Sequence, residues 1–275
     1  MTRLYAIDCN GVSHWLYHSK TARMDAAGNE ITLGQAVRNW WTQFAVQMGP
    51  SYAAAIFDGG HNWRWQVHAE YKSTRKAKPR NEELIAALKT VPPVWGELGV
   101  PVHCYDTFEA DDAIATIANE LAGPETEVII VSSDKDLLQL VGPHVRQYDP
   151  RPNKAGVCMY YDERGVEEKL GVPPHRVRDL LAIWGDSTDD VPGVEGWGRE
   201  SAILAVRQTR SANEIFRRAA AGTLENITAA RQKKLAEQRS AFDLSHKLVS
   251  LRFDVPVPDD LAAFEIKPQQ AESAA

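Results

Sequence analysis

Cysteine is scarce in this chain: there are three in 275 residues, Cys9, Cys104 and Cys158. They are scattered and odd in number, which excludes a disulfide framework or a paired Cys-x-x-Cys motif and fits a reducing cytoplasm. Apolar runs long enough to cross a bilayer are missing, so no membrane partner is expected. The N-terminus runs straight into a strand-like segment, so no secretion leader is expected. There is no Walker loop, no Gly-x-Ser-x-Gly motif, no internal repeat and no low-complexity tract. His14 and His18 have metalloprotease spacing, but Trp15 stands where the glutamate would be, so packing or local hydrogen bonding explains them better than zinc. An excess of positive charge is also lacking, since the formal net charge is −6.

What the chain does have is acid in short clusters: Glu109-Ala110-Asp111-Asp112, Asp134-Lys135-Asp136 and Gly185-Asp186-Ser187-Thr188-Asp189-Asp190. Asp8 and Asp58 each end an apolar, strand-like run, and Asp134 closely follows another. Parallel strands of an α/β fold end at the crevice where ligands bind, so these carboxylates can converge there. Closely spaced carboxylates do not all stay ionised unless something neutralises them. Hard divalent cations with oxygen ligands, Mg2+ or Mn2+, are the matching partner and suggest two-metal phosphodiester chemistry. The candidate ligands are Asp8, Asp58, Glu109, Asp111, Asp112, Asp134, Asp136, Asp186 and Asp189. Setting these nine aside turns −6 into +3 for the rest of the molecule. Helix capping is the plainer reading of Asp111, Asp112 and Asp134, and it accounts for one or two acids better than for three in four residues.

Strand-like segments at 3–8, 53–58, 101–105 and 127–132 alternate with helix-like ones near 33–48, 81–98 and 110–121. That alternation predicts an α/β fold, a mainly parallel sheet flanked by helices. Residues 144–148 and 157–161 suggest a further strand or hairpin. From about Val166 helical patterns dominate, at 176–184, 199–207, 212–221 and roughly 228–250. We expect units at 1–166 and 167–275. Between Asp58 and Asn81 lie Lys72, Arg75, Lys76, Lys78 and Arg80, with Trp63, Trp65 and Tyr71 just upstream. Cations interleaved with aromatics suit single-stranded nucleic acid, although a solvated basic face has the same composition. In the turn 190–198, Gly193, Gly196 and Gly198 allow close backbone approach to a phosphate. Such a turn is also ordinary loop chemistry.

Ala6-Ile7-Asp8, Phe57-Asp58, Glu70-Tyr71-Lys72, Phe108-Glu109-Ala110-Asp111-Asp112, Ser133-Asp134-Lys135-Asp136-Leu137, Gly171-Val172-Pro173-Pro174 and Gly185-Asp186-Ser187-Thr188-Asp189-Asp190-Val191-Pro192-Gly193-Val194 occur in the order and spacing of a known family. From about Leu4 to beyond Ala205 the chain resembles the 5′ nucleases: phage and bacterial 5′→3′ exonucleases, the N-terminal nuclease domain of DNA polymerase I, and flap endonucleases. The resemblance implies a PIN-like α/β core, a helical arch at about 61–82, and a C-terminal helix-three-turn-helix subdomain that grips duplex. It implies a first metal on Asp8, Asp58, Glu109 and Asp111. Asp111 would be shared with a second metal on Asp134, Asp136 and Asp186, with Asp112 and Asp189 close by. Lys72 and Arg64 would steer the scissile phosphate, and Tyr71 would stack on a displaced base. Arg75, Lys76, Lys78 and Arg80 would follow the DNA backbone, and Gly193, Gly196 and Gly198 would form the hairpin, where K+ could bind.

Some departures stand out. The basic residue after the hairpin, Arg199, is displaced by one position, and Trp15 replaces an arginine usually found near the first aspartate. The Asp58–Lys72 spacing is one residue shorter than usual. No polymerase domain follows, so a stand-alone monomeric nuclease is expected. Its partners would be 5′ flaps, nicked or gapped duplex and free 5′ ends, with a separate replicative or repair polymerase as a further partner. The competing readings are a non-catalytic structure-specific DNA-binding protein and a PIN-type ribonuclease.

Overall fold

The computed structural model describes residues 1–74 and 81–267. Six strands form one sheet: β1 (Thr2–Asp8), β2 (Tyr52–Phe57), β3 (Val102–Cys104), β4 (Thr126–Val131), β5 (Val145–Asp149) and β6 (Met159–Tyr161). Their order is β3-β2-β1-β4-β5-β6, with every pairing parallel except β5–β6. The chain proceeds outward from β1 to β3, then returns to lay β4 on the other side of β1. That reversal opens a crevice at the carboxyl ends of β1 and β4, the usual ligand position in such sheets.

The central strands read as continuous apolar runs because both faces are covered. Tyr5 and Ile7 face a cluster with Val12, Leu16, Val37, Phe44 and Trp95. Leu4 and Ala6 face another with Ile114, Ile117 and Val128. The first side is built by helices α1 (Cys9–His18), α2 (Leu33–Met48), and the pair α4 (Glu82–Lys89) and α5 (Val91–Glu97). A short α3 (Arg64–Val67) lies between β2 and α4, and α6 (Ala110–Leu121) covers the second side.

Two sequence expectations are refined. The helix expected over 81–98 is two helices meeting at Thr90, where Pro92 and Pro93 cannot donate to an unbroken ladder. The helix expected near 228–250 is likewise divided at Gln238, whose φ of −109° and ψ of 35° leave the helical region. Helix α1, directly after β1, was not read from the sequence. Its ten residues contain only four buried side chains, too few for a clear periodic stripe.

Beyond β6 the chain is helical: α7 (Glu163–Leu170), α8 (Val177–Trp184), α9 (Arg199–Arg207), α10 (Ala212–Ala220), α11 (Ala229–Glu237) and α12 (Arg239–Leu248). They share a third core containing Leu180, Ile183, Trp197, Ile215 and Phe242, which also takes in Tyr71, Leu138 and Val141 from the sheet unit. Among the described residues, no helix is long and apolar enough to cross a membrane.

Candidate metal centre

Backbone topology brings the acids to one edge. Asp8 ends β1 and caps α1, its Oδ1 accepting from Gly11 N–H at 2.8 Å. A Cβ at residue 11 would lie 2.3 Å from the Asp8 carboxylate, so glycine is needed there for that approach. Ser132, at the end of β4, donates to Asp8 Oδ2 at 2.8 Å and accepts from the Asp134 N–H at 3.0 Å. It therefore ties the two strand ends across the switch point. Asp58 follows β2; its Oδ1 accepts from Ala110 N–H at 2.9 Å, docking α6, and its own N–H reaches Asn10 Oδ1 at 3.1 Å. Asp134 Oδ1 accepts from Asp136 N–H at 2.8 Å. Asp186 comes from the helical unit, just after α8, with its Oδ1 accepting from Thr188 N–H at 2.8 Å.

Charge crowding shows in proton affinity. Burial, with Asp58 and Asp134 nearby, pushes Asp8 up to about 6 despite its hydrogen bond from Gly11. Burial and Asp134 push Asp136 up to about 8, and burial with Asp134 and Asp8 raises Asp111 well above the usual range. Two lysines offset part of the charge. Lys72 pairs with Glu109 and stands 3.7 Å from Asp189. Lys135 pairs with Asp186 and stands 3.7 Å from Asp136. Burial alone would raise Glu109, but Lys72 and Arg64 outweigh it and hold it below its ordinary value. Lys135 does the same for Asp186 against burial.

Not every expected residue faces this cluster. The guanidinium of Arg64 is buried, and all five of its N–H donors are engaged. Nη1 donates to Glu109 Oε2 at 2.9 Å and Asp112 Oδ2 at 2.8 Å. Nη2 donates to Asp112 Oδ1 at 3.0 Å and the Ser250 carbonyl at 2.8 Å, and Nε donates to the Leu248 carbonyl at 2.8 Å. Asp112 is fully buried and also accepts from Trp63 Nε1 at 3.0 Å and Arg252 N–H at 2.9 Å. These two residues brace the sheet unit against the end of α12; neither has a hydrogen-bonding atom left over for a phosphate or an ion. Tyr71, expected to stack on a base, is 5% exposed and packs in the helical core, with its hydroxyl donating to Glu109 Oε2 at 3.2 Å. Sequence spacing could not distinguish these placements, because an arginine that reaches inward and one that reaches outward occupy the same position in a motif.

Lys72 does face the cluster. It adopts a left-handed φ of 55°, and its N–H bonds to the Asp189 carbonyl at 3.0 Å. Two residues on, Thr74 N–H donates to Asp190 Oδ2 at 2.8 Å. The expected arch is thus fastened, at Lys72 and Thr74, to the turn after α8. Arg75, Lys76, Lys78 and Arg80 lie outside the described residues. In the glycine hairpin, Gly193 has φ 67° and a Cβ there would meet Gly185 N at 2.7 Å; its N–H donates to Ser245 Oγ at 2.9 Å. Gly193 is therefore required by backbone packing. Gly196 and Gly198 are exposed, the latter with open space where a Cβ would lie. Arg199 is turned back, donating to the Lys169 carbonyl at 2.8 Å and to Glu200 at 3.0 Å.

Among the described residues no group of three or more His, Cys, Asp or Glu side chains is arranged to hold an ion as it stands. Two ammonium groups stand among the acids, Lys72 beside Glu109 and Asp189 and Lys135 beside Asp186 and Asp136. The donor chemistry nevertheless fits a hard cation. Every candidate is a carboxylate oxygen, and Asp136 Oδ1 is buried without a hydrogen-bond partner.

Models of the 5′-3′ exonuclease N-terminal resolvase-like domain and C-terminal SAM fold match residues 3–171 and 172–272. The chain belongs to the 5′-3′ exonuclease family. It is similar to Flap endonuclease Xni of Shewanella amazonensis, 36% identical over 222 residues that make up 80% of this chain and 82% of that protein. It is also similar to DNA polymerase I of Chloroflexus aurantiacus, 35% identical over 79% of this chain but only 22% of the polymerase, so it spans under a quarter of that relative. Among solved structures, T5 5′-exonuclease with divalent metal ions (zinc) bound has a TM-score of 0.73 at 19% identity, covering 90% of this chain and 89% of that one. The catalytic core of Rad2 in complex with DNA substrate gives 0.56 at 16%, covering 98% and 83%. At these identities the likeness is one of fold.

Proposed function

We propose that this chain is a structure-specific 5′ nuclease that hydrolyses DNA phosphodiesters near 5′ ends, as a 5′→3′ exonuclease and flap endonuclease. The observation that carries the reading is the convergence of Asp8, Asp58, Glu109, Asp111, Asp134, Asp136 and Asp186 from both units on one crevice, in a chain similar to flap endonucleases. Asp8, Asp58, Glu109 and Asp111 would hold one Mg2+. Asp111, Asp134, Asp136 and Asp186 would hold the other, with Mn2+ able to substitute and Asp189 close by. When bound, the ions supply Lewis acidity for activating water and stabilising the leaving oxygen.

The chain's own residues do the rest. Lys72, held by its left-handed backbone and the Asp190–Thr74 clip, presents an ammonium to the developing charge on the phosphoryl oxygens. Arg64 and Asp112 act behind Glu109, fixing the carboxylate that Lys72 also touches. The helical unit, proposed as 167–275 against a catalytic unit at 1–166, would grip duplex through the hairpin at 193–198, where backbone carbonyls could take a K+. Arg75, Lys76, Lys78 and Arg80 would follow the single strand through an arch. The protein would act as a cytoplasmic monomer beside a separate DNA polymerase.

The test is cleavage of a 5′-flap duplex labelled at its 3′ end, in Mg2+, with Ca2+ and EDTA controls. Junction cleavage in Mg2+ alone supports the reading. Binding without cleavage in Mg2+ and Mn2+ would favour a non-catalytic DNA-binding protein, and preference for single-stranded RNA would favour a ribonuclease.

A further inference from the structure

Lys135 sits between Asp134 and Asp136, and its ammonium points into the site. Nζ pairs with Asp186 Oδ2 and stands 3.7 Å from Asp136 Oδ1, the buried oxygen that accepts no hydrogen bond. The Trp184 ring lies 6.0 Å away and the side chain is 27% exposed. Two carboxylates from different units, one following β4 and one following α8, therefore share a single positive charge. That charge holds the two units together electrostatically at the crevice. It also occupies the side of the site where a second divalent ion would bind, because an ammonium and a divalent cation in contact with the same carboxylates repel. For an ion to enter, Nζ must withdraw, and a withdrawn, partly desolvated ammonium needs a new anion. The anion that a nucleic-acid substrate brings to this crevice is its phosphodiester.

We infer that Lys135 is a built-in counter-ion for the Asp136–Asp186 half of the site, yielding to a divalent cation when DNA supplies a phosphate for its ammonium. The second ion then loads with substrate rather than ahead of it. Lys135 is a positioning residue in this account, and the account rests on the two-ion reading above. Because coupling between two ligands is reciprocal, Ca2+ should tighten flap binding by the same factor by which the flap tightens Ca2+.

The experiment is calorimetric titration of Ca2+, a hard cation, into wild-type protein and Lys135→Met, each with and without a 5′-flap duplex. Wild type should take up one Ca2+ per chain without DNA and two with it. Lys135→Met should take up two without DNA, the second at least ~10-fold tighter than any further uptake by DNA-free wild type, within the range of ordinary coupling. The ion-free variant should melt below wild type and recover with Ca2+, which also shows that it folds. Two ions on DNA-free wild type, at affinities the substitution does not change, would overturn the inference while leaving the two-ion reading standing. If the variant does not fold, two ions on DNA-free wild type at affinities that the flap duplex does not change would overturn it with wild type alone. Failure of either protein to bind Ca2+ with or without DNA would instead sink the two-ion reading.

Discussion

Arg64 separates two accounts of the site. A motif reading aims it at the phosphate, whereas the structure buries it as a brace. Replacing it with alanine would strand Asp112, whose side chain is 0% exposed, and free the carbonyls of Leu248 and Ser250. Breaking a buried ion pair by removing one partner costs ~3–5 kcal/mol. The orphaned carbonyls would add ~1–3 kcal/mol each wherever water does not reach them. On the ion pair alone, ~4 kcal/mol at 2–4 °C per kcal/mol predicts a fall in Tm of ~8–16 °C. Thermal and urea melts followed by circular dichroism in EDTA would measure it. Pairing Arg64→Met with Asp112→Leu removes the stranded charge, so the double variant should be less destabilised than the sum of the singles by at least ~2 kcal/mol. If Arg64→Ala melted within ~2 °C of wild type yet lost flap cleavage, the brace would be refuted and a direct phosphate contact favoured.

Three other outcomes follow from the same geometry. Asp134→Asn should abolish flap cleavage in Mg2+ while leaving flap affinity nearly unchanged; wild-type turnover in this variant would be fatal to the two-metal assignment. Ion-free protein should lose stability as pH rises from 6 to 8. Asp8 and Asp136 have folded pKa values raised to about 6 and about 8, so the folded state binds more protons there than the unfolded chain, and their contribution fades as pH passes those values. Saturating Mg2+ should narrow the gap; an EDTA Tm that climbs steadily between pH 6 and 8 would contradict this. Gly193→Ala should destabilise the chain by at least ~1–3 kcal/mol, because it combines a left-handed backbone with a Cβ 2.7 Å from Gly185 N. An unchanged urea midpoint would show that the hairpin is not the tight backbone contact seen here.

Much of the fold could be read locally. Apolar strand runs ending in Asp8 and Asp58, and one leading to Asp134, place each acid at a carboxyl edge, because strand period and parallel pairing act within a few residues. The crowding of acids was likewise legible, and it is what makes them candidates for a cation, since carboxylates this crowded stay ionised only beside a cation that neutralises them. Helix α1 and the division at Gln238 were not, because short amphipathic segments carry too few buried positions to show a period. The division at Thr90 was signalled by Pro92 and Pro93, against the expectation of one continuous helix.

The amino-acid sequence by itself determined the chemistry available to this protein: hard oxygen donors at strand ends, two lysines among them, and a glycine turn between helices. Only the tertiary structure decided how those groups are used. It turned Arg64 and Asp112 inward as a brace and sank Tyr71 into the helical core. It also set Lys72 and Lys135 among the acids as counter-ions. The direction a long side chain takes depends on contacts over a hundred residues away, such as Arg64 with Leu248 and Ser250, and no local pattern encodes these.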